Sequence, residues 1–120
     1  MIDALAVAGG AALGAPLRYL TDRAVQARHD SAYPLGTLTV NVVASLVLGL
    51  VTGVASLSPT GLALVGTGFC GALSTYSTYS FETVRLAEDG RWRIATVNVL
   101  ASVGLGLGAA ALGLWLGGLL

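Results

Sequence analysis

The sequence has no lysine, one histidine, one cysteine and six arginines, and charged residues make up only 10% of its 120 positions. Each shortage excludes something. A soluble domain covers itself with roughly 25% charged side chains, and this chain has no means of building such a surface. A phosphate-binding face needs clustered basic residues; with a net charge of zero and no lysine, no nucleic-acid partner is expected. Cys70 stands alone, which leaves no internal disulfide and no thiol pair for a metal. His29, between Arg28 and Asp30, reads as a solvated loop residue. No nucleophile stands beside a base, and neither Gly-x-Ser-x-Gly nor His-Glu-x-x-His occurs, so no enzyme is expected.

What the chain has in quantity is apolar residues and glycine. Hydrophobic residues make up 55% of it, glycines number 17 and the mean hydropathy is +0.81. The expected fold is an all-α integral membrane protein, a single domain of four transmembrane helices. Four apolar runs, at about 4–20, 34–57, 59–86 and 94–119, each approach the roughly 20 residues that a spanning helix needs. The first run lacks a basic start and is read as a retained helix rather than a cleaved signal. A polar loop is expected over 21–33 and a charged one over 88–93. Ser58 before Pro59 suits an N-cap followed by the first helical position. Gly9, Gly10 and Gly14 on the first helix, and Gly104, Gly106, Gly108 and Gly113 on the fourth, allow close helix approach. The bundle is therefore expected to be tight, with a homologous or identical partner completing any path through it.

All six arginines, Arg18, Arg23, Arg28, Arg85, Arg91 and Arg93, fall at the same end of a four-span arrangement. The positive-inside rule places both long loops in the cytoplasm and both termini outside.

The third run is the unusual one. It carries Gly66, Gly68 and Gly71, then an unbroken series of hydroxyl and aromatic residues from Ser74 to Phe81. Polar groups left unpaired in hydrocarbon cost several kcal/mol each, roughly, so these must face protein or a polar path. Tyr76 and Tyr79 share a helix face, either as packing or as the wall of such a path. Phenolic and alcohol hydroxyls donate hydrogen bonds and ring edges carry positive charge, which favours a small, hard anion. Asn41 on the second helix reads as interhelical glue or as an amide donor to that anion. Arg18 reads as a snorkelling side chain or an anion-attracting vestibule residue. Glu82 reads as a helix-end carboxylate within reach of Arg85. Gly71 is a packing glycine, or marks a helix break whose freed carbonyls hold a hard monovalent cation.

Three segments together resemble the Fluc (CrcB) family of bacterial fluoride channels over nearly the whole chain. They are Gly14-Ala15-Pro16-Leu17-Arg18-Tyr19, Gly36-Thr37-Leu38-Thr39-Val40-Asn41, and Gly68-Phe69-Cys70-Gly71-Ala72-Leu73-Ser74-Thr75-Tyr76-Ser77-Thr78-Tyr79-Ser80. The last is similar to the family's Gly-Phe-x-Gly-Gly-Leu-Thr-Thr-Phe-Ser-Thr-Phe signature. The resemblance implies an antiparallel dimer with two fluoride pores, passive efflux of cytoplasmic fluoride, and a structural sodium ion at the dimer centre. It implies that the ion sits on the third-helix break at Gly71 and Ser74. It assigns Asn41, Tyr76 and Tyr79 to the pore, with Arg18 at the vestibule and Ser102 on the fourth helix; Thr75, Ser77, Thr78 and Glu82 also match its pattern. The departures are tyrosine at both signature phenylalanines, Ser74 for threonine, Ala72 for glycine, and Asn98 in the place of a pore-lining tyrosine. The one-sided arginines point to one half of a pair of oppositely oriented paralogues rather than a homodimer. A four-helix drug exporter, which needs a membrane-embedded carboxylate, and a non-conducting assembly subunit are the alternatives.

Overall fold

A computed structural model describes residues 2–28 and 33–120, all helical apart from short connections. The reading of His29 and Asp30 as loop residues lies outside the described residues. Helix α1 spans Ile2–Arg28 and α2 spans Leu35–Gly53. A third rod, residues 59–73, is assembled from α3 (Pro59–Leu62), a π-helical stretch (Ala63–Cys70) and α4 (Gly71–Leu73). Helices α5 (Tyr76–Glu88) and α6 (Trp92–Gly118) complete the chain, joined by a turn at Gly90 with φ of 79°.

Two boundaries differ from the sequence reading. Helix α1 runs on through the expected polar loop as far as Arg28, because Ala24, Gln26, Ala27 and the arginines are good helix formers. Arg23 reinforces that turn by donating to the Tyr19 hydroxyl at 3.0 Å, with its guanidinium 5.7 Å from the ring centre. The break in the third rod, expected at Gly71 and Ser74, takes in Ser74 and Thr75 and leaves Gly71 in the helix. Gly71 is helical (φ −62°, ψ −36°), whereas Ser74 and Thr75 are extended. The expected cap at the start of the rod is present, with the Ser58 hydroxyl accepting from the Gly61 amide at 3.0 Å.

The bundle is held by two seams where backbone meets backbone. On the first, Gly10 and Gly14 of α1 face the rod; a Cβ at Gly10 would collide with the Leu64 carbonyl and the Phe69 amide, and one at Gly14 with the Phe69 carbonyl. The rod answers with Gly68, which sits against the Val7 carbonyl. On the second, Gly49 of α2 lies on the Ala110 carbonyl, while Gly113 and Gly117 of α6 lie on the Leu46 and Leu50 carbonyls. Approach this close is what small residues permit between membrane helices. Between the seams, Val40 and Ala44 of α2 pack on Cys70 and Leu73 to form the buried core.

Helices α2 and α6 are each long and apolar enough to cross a bilayer, with mean hydropathies of 1.9 and 2.0. Only 6% of the α6 window is buried within the subunit, and Leu100, Leu107 and Trp115 stand more than 60% exposed. A helix this apolar and this uncovered needs lipid or another protein surface around it. With a longest dimension of 47 Å, the molecule matches the roughly 40–45 Å of a full bilayer. The chain is an integral membrane protein.

Candidate functional site

The site begins with the two residues that leave the helix. A rod that stopped at Leu73 without compensation would strand its last carbonyls and the first amides of α5. Thr75 deals with part of this as the N-cap of α5, its hydroxyl accepting from the Thr78 amide at 3.2 Å. Asn41, reaching from α2, deals with the rest. Its Oδ1 accepts the Thr75 amide at 2.7 Å and its Nδ2 donates to the Thr75 carbonyl at 3.1 Å. One side chain thus replaces both backbone partners of a residue that has neither helical neighbour. The glue reading of Asn41 is what the geometry displays, and the glue is applied to the break itself.

Once the backbone is pinned, three grooves open around it. One of about 310 Å³ lies between α2, α5 and α6 and brings together Asn41, Ser74, Thr75, Tyr76, Tyr79 and Ser102. The Tyr76 and Tyr79 rings are tilted by 52° with centres 6.1 Å apart. Tyr76 is 82% exposed, so this groove is open to the outside along its Tyr76 flank. A second groove of about 350 Å³ lies on the other side of the break, lined by Gly71 and Ser74 with the Ser45 and Thr67 hydroxyls and the Cys70 thiol. Ser45 and Ser74 belong to both. The third, about 510 Å³ at the arginine-bearing end, holds Thr78 and Glu82 together with Arg85 and Arg91.

The expected residues are therefore distributed rather than clustered. Asn41, Tyr76, Tyr79 and Ser102 meet in one groove, and Gly71 and Ser74 in the next. Thr78 and Glu82 lie at the arginine end. Arg18, half-buried on α1, and Ser77, exposed on α5, line none of the three. The partner of Glu82 is the buried Thr37 hydroxyl of α2, which donates to its carboxylate, rather than Arg85 on its own helix. That contact ties α5 to α2 across 45 residues of sequence.

Asn98 does not line these grooves. It is 1% exposed, and its Nδ2 donates to the Thr83 hydroxyl at 2.8 Å. Neither Thr83 nor Thr37 stood out by residue type, since threonine is common in membrane helices; each gains its role from what faces it.

A protein-family model described as CrcB-like protein, Camphor Resistance (CrcB), matches residues 5–114. The chain belongs to the CrcB family. Among curated relatives, fluoride-specific ion channel FluC 1 of Frankia casuarinae is 62% identical over 117 residues, covering 91% of each chain. FluC 1 of Streptomyces avermitilis is 57% identical over 114 residues, with 92% of each covered. FluC 2 of Mycobacterium bovis is 46% identical over 104 residues, 87% of this chain and 82% of its own.

Proposed function

We propose that this chain is a subunit of a fluoride-selective channel that lets cytoplasmic fluoride leak out of the cell. The observation that carries the reading is the open groove at the break, where neutral donors from α2, α5 and α6 converge in an otherwise apolar bundle. Fluoride is small and strongly hydrated, so a path for it must replace water with hydroxyl and amide donors. Ser102, Tyr76 and Tyr79, and the second Nδ2 hydrogen of Asn41, are of that kind, and the tyrosine ring edges add positive charge. Thr78 and Glu82 continue toward the arginine end; Ser77, on the exposed side of α5, would join the path once a partner covers that face, and Arg18 on α1 would raise the anion concentration near its mouth. The fluoride-specific relatives, similar over nearly the full length, support the choice of ion.

A polar groove open along its exposed Tyr76 flank calls for a second subunit to close it. In this reading the channel is a dimer, and the one-sided arginines favour an oppositely oriented paralogue as partner, with both termini of this chain outside the cell membrane. The break also suits a structural sodium ion. Its second groove is lined in part by the hydroxyl residues Ser45, Thr67 and Ser74, whose oxygens suit a hard cation. Gly71 has no atom within 4 Å of where a Cβ would stand, which leaves room beside its backbone. The carbonyls of Gly71 and Ser74 would hold the ion, which would supply a fixed positive charge between the two half-helices.

The test is fluoride efflux from liposomes, followed with a fluoride electrode, using the subunit alone and then co-purified with a paralogue. Fluoride release without chloride release is expected. Release from the single subunit would make the channel a homodimer; release only with the partner would make it a heterodimer. A preparation that releases no fluoride in either form overturns the reading in favour of a non-conducting assembly protein.

A further inference from the structure

We infer that Asn98 is a positioning residue that sets the direction of the Ser102 hydroxyl in the groove, an inference that rests on the channel reading above. Asn98 and Val40 are the largest fully buried side chains of the subunit. A fully buried amide on α6, whose surface is otherwise mostly outward and apolar, needs every hydrogen bond it can make. It makes them in a line. Ser102 Oγ donates to Asn98 Oδ1 at 3.4 Å, Asn98 Nδ2 donates to Thr83 Oγ1 at 2.8 Å, and Thr83 Oγ1 donates to the Tyr79 carbonyl at 2.8 Å.

The far end of the line dictates its polarity. Thr83 has one hydroxyl proton, committed to the Tyr79 carbonyl, so toward Asn98 it offers only lone pairs. Nδ2 of Asn98 must therefore face Thr83, which turns Oδ1 toward Ser102. Ser102 also has one proton, and Oδ1 draws it away from the groove that Ser102 lines. The 3.4 Å separation lies at the weak end of the hydrogen-bond range. An anion in the groove makes a stronger, charge-assisted bond and takes that proton by rotation of the hydroxyl alone. When the anion moves on, Asn98 receives it again. Asn98 thus keeps Ser102 as a donor that is held but easily released. Without Asn98, the Ser102 hydroxyl would turn onto the carbonyl one helical turn back, the usual resting place of serine in an apolar helix.

Five variants test this in liposomes and by thermal unfolding: Asn98→Leu, the isosteric Thr83→Val, Ser102→Ala, and each of the first two combined with Ser102→Ala. Asn98→Leu and Ser102→Ala are each expected to slow fluoride efflux by roughly threefold to tenfold, the range one neutral hydrogen bond carries. In the Ser102→Ala background, neither Asn98→Leu nor Thr83→Val should slow it further. Effects that multiply instead would show that Asn98 acts on the path independently of Ser102, and would overturn the inference. Should Asn98→Leu fail to fold, the Thr83→Val pair carries the same comparison, since it frees the amide to flip without opening a cavity. If the unaltered protein passes no fluoride, the channel reading fails separately. The Asn98–Ser102 link is then judged by melting temperature, where non-additive shifts support it and additive shifts overturn it.

Discussion

At the scale of single residues, position in the network matters more than residue type. Asn41, Asn98 and Glu82 are polar groups within the bundle, and each spends its hydrogen bonds tying one segment to another. Asn41 is the most consequential, because its partner is the backbone of the break. Replacing it with leucine would leave the Thr75 amide and carbonyl without partners in a buried setting. At about 1–3 kcal/mol for each buried group left unsatisfied, Asn41→Leu should lower the melting temperature in detergent markedly and abolish fluoride efflux. Serine in place of Thr75 keeps the hydroxyl cap and should restore most of the stability lost in Thr75→Val, which melting curves of the two would compare.

At the scale of elements, close packing and the break depend on each other. The rod can leave the helix at Ser74 because the first seam holds it firmly on α1 up to Leu73. Adjacent glycines on α1 offer a clean contrast. A Cβ at Gly10 would meet Leu64 and Phe69 backbone, whereas one at Gly9 would make an ordinary 3.6 Å contact with the Leu64 side chain. Gly10→Ala should therefore destabilise by about 1–3 kcal/mol, the cost of overpacking, while Gly9→Ala should leave the melting temperature nearly unchanged. The π-helical stretch Ala63–Cys70 belongs to the same arrangement: wide turns of this kind are rare and gather at functional sites. It delivers Cys70 and Gly71 to the groove assigned to sodium. If the ion binds the native break, exchanging sodium for N-methylglucamine should lower the melting temperature. A concentration of 100 times Kd is worth about 2.7 kcal/mol. Asn41→Leu should erase that sodium dependence.

At the scale of the whole molecule, much apolar and polar surface faces outward. Helix α6 is open away from its seam with α2, Tyr76 is exposed on one flank, and the groove at the break opens there. These surfaces must meet lipid or a partner, and a hydroxylated aromatic ring at bilayer depth fits a partner better than lipid tails. The proposed fixed orientation, drawn from the arginine distribution, can be tested directly. Cysteines placed near either terminus, in a Cys70→Ser background, should react with an impermeant maleimide from outside intact cells. An even mixture of accessible and protected termini would instead favour a dual-topology homodimer.

The sequence by itself determined the class. Too few charges to wet a surface and four apolar runs of membrane length leave one option for the backbone, which must satisfy its hydrogen bonds within helices. It also marked the third run, because there a group of glycines is followed by an unbroken series of hydroxyl and aromatic residues from Ser74 to Phe81. The Ser58 cap and the glycine seams were readable for similar reasons: each is a local pattern with a local cause. What only the tertiary structure decided is where the rod breaks and which polar groups remain to face an ion. Gly71 looked like the weak point, yet a glycine in a helix costs only about 1 kcal/mol. The break takes in Ser74 and is pinned at Thr75, where Asn41 supplies both missing partners from 34 residues away. Asn98, which stands in the place of a pore-lining tyrosine in the resemblance, lies buried as a link to Ser102 and Thr83. Periodicity can place a side chain on a helix face, but the partner that consumes its hydrogen bonds comes from another helix, and only packing brings the two together.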